Sequence, residues 1–394
     1  MPFLLAVKFA IASALLFSVA HSTPSAAQEP VSSFSMHRGV NVVGPFVRIK
    51  ALPSNSDGQI SDFQGMQKYP DWYNGKELRQ AGYDFIRLPV NPALLLENPP
   101  IVRARMLDGV EEDVRPFLSA GLRVAFDLHL WVPVNKVWNQ NTIVSGDPSA
   151  FAAYRALVRE LAFRLARYPH GEVALELFNE PINLNCQSIG WISQQKVLLS
   201  DVRAVAPVLP VVVSGCLGSL DGLVAMKKSD IDMKDKNLIY TFHFYDPFLF
   251  THQGGYNDFL YIEGVPYPAS LGNIGSTVNV TNHNIDGSVL PLADALAVKA
   301  RAAKQITQYF AQAPNRAFVE RRFDEVVAWA KSNDVSPSQI LLGEFAAINW
   351  RKTDTPEYLR ARRTWDEDVQ SAAEQRGIAW AFWYLPYPKG PLFR

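Results

Sequence analysis

Eight short apolar segments recur along the chain, and most of the stretches between them follow a different period. They are residues 37–44 (HRGVNVVG), 84–90 (DFIRLPV), 123–130 (RVAFDLHL), 173–180 (VALELFNE), 210–215 (PVVVSG), 238–245 (LIYTFHFY), 340–346 (ILLGEFA) and 378–385 (IAWAFWYL). Their length and their content of Val, Ile, Phe and Tyr predict strands. Several lack clean alternation, as expected of parallel strands whose outer face is covered. Residues 147–168 open on Asp147-Pro148 and then carry an apolar stripe of helical period, the pattern of an N-capped helix. Residues 355–377 open similarly on Thr355-Pro356 and close on Gly377. Strand-helix alternation repeated this often predicts parallel strands with crossover helices. Eight strands predict an α/β fold, a (β/α)8 TIM barrel rather than an open sheet. No repeat of fixed period marks a solenoid.

Two features break the rhythm. The gap between the sixth and seventh segments exceeds what one helix needs, so a long insertion is expected there. Within it, residues 248–290 read as a Gly/Asn/Tyr-rich loop, followed by helical patterns over 291–313 and 315–332. After the eighth segment, residues 386–394 (PYPKGPLFR) leave little room for a helix and read as irregular.

Composition narrows the class. The 394 residues carry 38 basic and 38 acidic side chains, a balance that argues against a nucleic-acid binder. Apolar residues at 48% supply a sizeable core. Near the start, Lys8 precedes the apolar run 9–20 (FAIASALLFSVA), which is too short for a comfortable membrane span. Small residues follow, so residues 1–27 read as a signal peptide cleaved after Ala27; an uncleaved anchor is the alternative. The mature chain, 28–394, is then a single exported domain, in the periplasm or the medium, without membrane attachment. Export permits a disulfide between Cys186 and Cys216, the only two cysteines.

The barrel reading can be tested against the polar residues, because sites in this fold lie at the C-terminal ends of the strands. Arg87 falls in the second strand, His129 ends the third, and Asn179-Glu180 end the fourth. His243 and Tyr245 end the sixth, Glu344 the seventh and Trp383 the eighth. Singly, each has a structural explanation: a satisfied acid, a core histidine, an ion-pair arginine. Together they place two glutamates on opposite sides of one rim. Paired carboxylates suit glycosidic bond cleavage, one protonated to donate and one ionised to attack. Arg87 and Tyr245 are placed to hold Glu344 ionised, which leaves Glu180 as the acid.

These residues resemble glycoside hydrolase family 5, the large family of retaining barrel enzymes that includes cellulases. The resemblance spans essentially the whole mature chain. It implies Glu180, in the Asn179-Glu180 pair, as acid/base and Glu344 in LLGEFA as nucleophile. It further implies substrate-binding roles for Arg87, His129, Asn179, His243, Tyr245 and Trp383. Residues 245–255 (YDPFLFTHQGG) also resemble cellulase-like members. The long insertion and the abrupt C-terminus depart from the pattern, and bear on cleft shape.

The expected activity is retaining hydrolysis of β-1,4-linked glucans by an exported monomer. The expected partner is a β-linked polysaccharide or oligosaccharide, with no cofactor and no metal. The seven histidines are scattered, with no tight ligand spacing. Alternatives are a β-mannanase or exopolysaccharide-processing enzyme of the same family, or a barrel that only binds glycans. Trp131, Trp138, Trp191, Trp350 and Tyr256 fall in or near loops after strands. They are either sugar-stacking rings or packing aromatics.

Overall fold

Each of the eight apolar segments holds a strand: β1 (Arg38–Asn41), β2 (Phe85–Val90), β3 (Arg123–Leu128), β4 (Val173–Glu176), β5 (Val211–Ser219), β6 (Leu238–His243), β7 (Ile340–Glu344) and β8 (Ala379–Phe382). They pair in parallel in chain order, and β8 pairs with β1, which closes the barrel. The computed structural model describes residues 34–43, 74–130, 138–139, 141–181, 190–227, 229–231, 235–255, 259–348, 350 and 355–383. All lie in the unit Val31–Arg394. The signal reading of residues 1–27, Trp131, Cys186, Tyr256 and residues 386–394 fall outside the described residues.

The two-residue period of a strand face stacks the barrel interior in layers. Phe34, Met36, Phe85, Ala125, Ala174, Val212, Ile239, Leu341 and Ala379 cluster as an apolar floor. Two residues further along five of these strands come Arg87, Asp127, Glu176, Ser214 and Thr241, and Asn41 of β1 pairs with Arg87; all six are buried and polar. A second, larger apolar cluster joins the outward residues of the strands to the helices.

The helix Pro148–Leu165 shows how the outer ring forms. Asp147 accepts from the amides of Ser149 (2.8 Å) and Ala150 (3.3 Å), satisfying donors that the first turn leaves unpaired. Its buried face is Ala150, Tyr154, Leu157, Val158, Leu161, Ala162 and Leu165, at helical spacing. Tyr154 also donates its hydroxyl to the Leu177 carbonyl at 2.6 Å, bracing the chain just beyond β4. Thr355 caps the helix Pro356–Glu374 in the same manner.

The insertion differs from the loop expected over 248–290. It contains the helices Phe248–Thr251 and Ile274–Asp286 and a 3₁₀ turn, Ala269–Leu271. The longer helix is rich in Thr, Asn and Val, which are poor helix formers. Tertiary seating overrides that: Asn273 caps its start, and Thr277, Thr281 and Ile285 are buried along one face. The helices Leu292–Gln312 and Arg316–Asn333 follow where the sequence placed them. Among the described residues, no helix is long and apolar enough to cross a membrane.

Candidate active site

Arg87 is the hub of the polar layer and is fully buried. Its guanidinium donates to both oxygens of Glu176 (2.7 and 2.8 Å), to Asn41 (3.0 Å), to Asn179 (2.9 Å) and to Glu344 (2.7 Å). Asp127 lies 3.0 Å away as a third carboxylate. A buried cation is tolerated only when it is paired and fully hydrogen-bonded, and this one has five partner residues from four strands or their ends. Those carboxyls are themselves desolvated: burial pushes Asp127 up to about 7, against the pull of Arg87.

Glu344 reaches the interior through an irregularity in β7. Phe242 pairs with Leu342, but the next pair is His243 with Glu344, so Gly343 is skipped. The bulge turns Glu344 inward, where strict alternation from Leu341 would point it out. Gly343 has to be glycine, because a Cβ there would stand 2.6 Å from Thr241 Oγ1 and 3.1 Å from His243 Nε2. Glu344 is 4% exposed and accepts from Arg87 Nη1 at 2.7 Å and from the Tyr245 hydroxyl at 2.9 Å.

Glu180 lies past the end of β4, with its side chain 36% exposed and one oxygen 2.7 Å from His243 Nδ1. A carboxylate oxygen of Glu180 and one of Glu344 lie within 4.8 Å of each other. Burial raises both carboxyls above the ordinary glutamate value. What opposes the rise differs. Glu344 has direct hydrogen bonds from a guanidinium and a phenol, which favour its ionised form, and Glu180 has neither. The pair is therefore biased toward a protonated Glu180 and an ionised Glu344.

The two histidines are held neutral, since burial lowers each to about 4. Asn179 accepts from Arg87 through its oxygen, so its amide nitrogen faces His129 Nε2 at 3.3 Å. Nε2 is then the acceptor, and Nδ1–H donates to Asp127 at 2.9 Å. Both ring nitrogens are engaged, and the face of His129 is stacked on Trp383 at 5.5 Å and 17°.

The structure thus brings Arg87, His129, Asn179, Glu180, His243, Tyr245, Glu344 and Trp383 to one rim. It adds Asn41, Asp127, Glu176 and Gly343, which the reading of strand ends passed over. Asn41 anchors Arg87 and donates to the Gly343 and Phe382 carbonyls, tying β1 to β7 and β8. A signal existed: an acid or amide inside each of the apolar runs VNV, FDL and LEL has no place on an apolar outer face. Of the loop aromatics, Trp191 is buried against Phe178 in the helix Gly190–Val205, and is a packing residue. Trp138 packs against the core, and Trp350 is 41% exposed. Among the described residues, two sets of side chains bring ligand atoms within 4.8 Å of one another: Asp127, His129 and Glu344, and Glu180, His243 and Glu344. Arg87 already contacts two members of the first set and one of the second, so a positive charge is built in.

The family model for cellulase, glycosyl hydrolase family 5, matches residues 54–387. Endoglucanase 3 of Fibrobacter succinogenes is 22% identical to this chain, over 84% of this chain and 47% of its own length. Endoglucanase C of Acetivibrio thermocellus is 25% identical, over 56% of this chain and 65% of its own. The chain spans about half to two thirds of the length of these two relatives. The endoglucanase Cel5A structure from Thermotoga maritima superposes with a TM-score of 0.60 at 21% identity, covering 90% of this chain and 91% of that one. The cellulose synthase subunit Z of Clostridioides difficile gives 0.58 at 21% identity, covering 90% and 93%. At such identities the structural likeness speaks to the fold, and the matched family model to kinship. The chain belongs to the cellulase family, glycosyl hydrolase family 5.

Proposed function

We propose that this protein is an exported glycoside hydrolase that cleaves β-1,4-linked glucans with retention of anomeric configuration. The observation that carries this reading is the approach of Glu180 and Glu344 to within 4.8 Å, with only Glu344 held by Arg87 and Tyr245. Retaining enzymes place their carboxyls about 5 Å apart, whereas inverting enzymes leave room for a water between them.

In the first step, a Glu344 oxygen forms a bond to the anomeric carbon as the glycosidic bond breaks. The proton of Glu180 passes to the departing oxygen. In the second, Glu180 takes a proton from water, the water oxygen bonds to the anomeric carbon, and Glu344 leaves. Asn179 has one amide proton directed to His129 and a second left for the sugar 2-hydroxyl, a contact that strengthens in the transition state. Trp383, fixed against His129, offers a flat floor for the ring.

Export rests on residues 1–27 and is supported by the disulfide at Cys216, a bond that persists in oxidising compartments. Reducing-sugar release from β-1,4-glucan, β-mannan and xylan, with wild type and Glu344→Ala, tests the function. The expected outcome is release from glucan that falls at least about 1,000-fold in the variant, with the β-anomer appearing first by NMR. Release confined to mannan changes the substrate and keeps the chemistry. An initial α-anomer overturns the retaining mechanism, and an inactive wild type overturns the hydrolase reading.

A further inference from the structure

The end of β5 departs from its ladder beside Glu180. Ser214 pairs with Thr241 and Ser219 with His243, so β5 advances five residues while β6 advances two. The surplus forms a bulge, Gly215 to Gly218, folded back on the helix Leu220–Ala225. Glycine makes the fold-back sterically open: a Cβ at Gly215 would collide with the Gly222 backbone, and one at Gly222 with the Cys216 carbonyl. Leu217 and Gly218 both take left-handed φ, 60° and 59°. For Leu217 that conformation costs on the order of 1 kcal/mol, so the surroundings must impose it.

The bulge is directed at the proposed acid. Leu217 N–H donates to the Pro181 carbonyl at 3.1 Å, which fixes the backbone just after Glu180. Gly218 faces Glu180 so closely that a Cβ there would stand 3.1 Å from Glu180 Cγ and 3.3 Å from its Cα. Glu180 itself is held at φ 39°, a second left-handed residue that is not glycine. Where the bulge ends, Ser219 pairs with His243, whose Nδ1 is 2.7 Å from the Glu180 carboxyl. Backbone, Cγ and carboxyl of Glu180 are thus each met by the bulge or by the residue it pairs with. Cys216, inside the bulge, is disulfide-bonded.

We infer that the β5 bulge positions the Glu180 carboxyl for proton transfer, with Gly218 as its positioning residue. The inference rests on the reading of Glu180 as the acid, and its test separates the two. Proton donation matters in proportion to how poor the leaving group is. A displaced acid therefore slows cleavage of phenyl glycosides and spares dinitrophenyl glycosides. Because kcat/KM covers steps only up to the first displacement, it reports this without interference from the second.

The experiment measures kcat/KM for phenyl and dinitrophenyl β-glycosides of the disaccharide released best from the polysaccharide panel. Wild type, Gly218→Ala, Glu180→Ala and Gly82→Ala are compared, with thermal melts on each. Gly82 has φ 92° with open space where a Cβ would go, so it registers backbone strain alone. Gly218→Ala is expected to lose at least ten-fold on the phenyl substrate and less than two-fold on the dinitrophenyl one. Glu180→Ala should show the same split, deeper, and Gly82→Ala none. Equal losses on both substrates for Gly218→Ala, or no loss, overturn the positioning role. A Glu180→Ala variant without the split overturns the acid assignment instead. Should Gly218→Ala fail to fold, Gly218→Asn is read in its place, because asparagine tolerates the left-handed φ while its Cβ still meets Glu180 Cγ: the split supports the proposal, and its absence overturns it.

Discussion

At the scale of single residues, the proposed mechanism depends on making two chemically identical side chains unequal. Glu180 and Glu344 are both raised by burial, and the hydrogen bonds from Arg87 and Tyr245 to Glu344 set the two apart. Tyr245 donates to Glu344 Oε2 and so favours the charged form. Tyr245→Phe removes that donor, and the Glu344 pKa rises further. The acid limb of the kcat/KM profile should then move to higher pH by about half a unit to one unit, with kcat down roughly ten- to a hundred-fold. An acid limb that stays in place would show that Arg87 alone holds the charge. Arg87 cannot be examined so gently, because its removal strands Asp127, Glu176 and Glu344 in a low dielectric.

At the scale of elements, the two glutamates of the proposed chemistry sit where strands stop being regular. The β7 bulge at Gly343 turns Glu344 inward, and the β5 bulge at Gly215 to Gly218 lies against Glu180. Gly343→Ala is expected to push the His243 ring away from both carboxyls. The predicted cost is about 1–3 kcal/mol of stability, read as a lower Tm, together with at least about a ten-fold fall in kcat. Unchanged Tm and kcat would mean that the His243 ring has room the packing does not show.

At the scale of the molecule, the barrel stores titratable groups of opposite tendency. Asp127 is raised to about 7, so its contribution to stability is present below pH 3.8 and lost as pH rises through 7. His252 is lowered to about 4 by burial alone, so its contribution is full above pH 6.5 and lost as pH falls through 4. Because these run in opposite senses, a single residue is isolated by difference. His252→Asn keeps a donor for Thr251 Oγ1, the 2.9 Å partner of the ring, and removes the titration. The stability advantage of wild type over the variant should shrink by about 2 kcal/mol between pH 7.5 and 4.5. Denaturant unfolding at the two pH values measures it, and a gap independent of pH would refute the assignment.

Much of this architecture is written locally. Eight apolar runs, Asp147 and Thr355 as caps, and polar residues at the strand ends are covalent patterns, and they suffice for a parallel barrel and a paired-glutamate rim. The order of the strands follows as well, because each crossover helix carries the chain to its neighbour. The helix Ile274–Asp286 was not legible, since its Thr and Asn residues are poor helix formers until a buried face seats them. Asn41, Asp127 and Glu176 were passed over because their worth depends on Arg87, which meets them only when the barrel closes. Sequence alone determined which groups could do the chemistry and on which strands they stand. The tertiary structure decided their inequality: distance, desolvation and the two bulges exist only between segments far apart in the chain, and they bias Glu180 to hold the proton and Glu344 the charge.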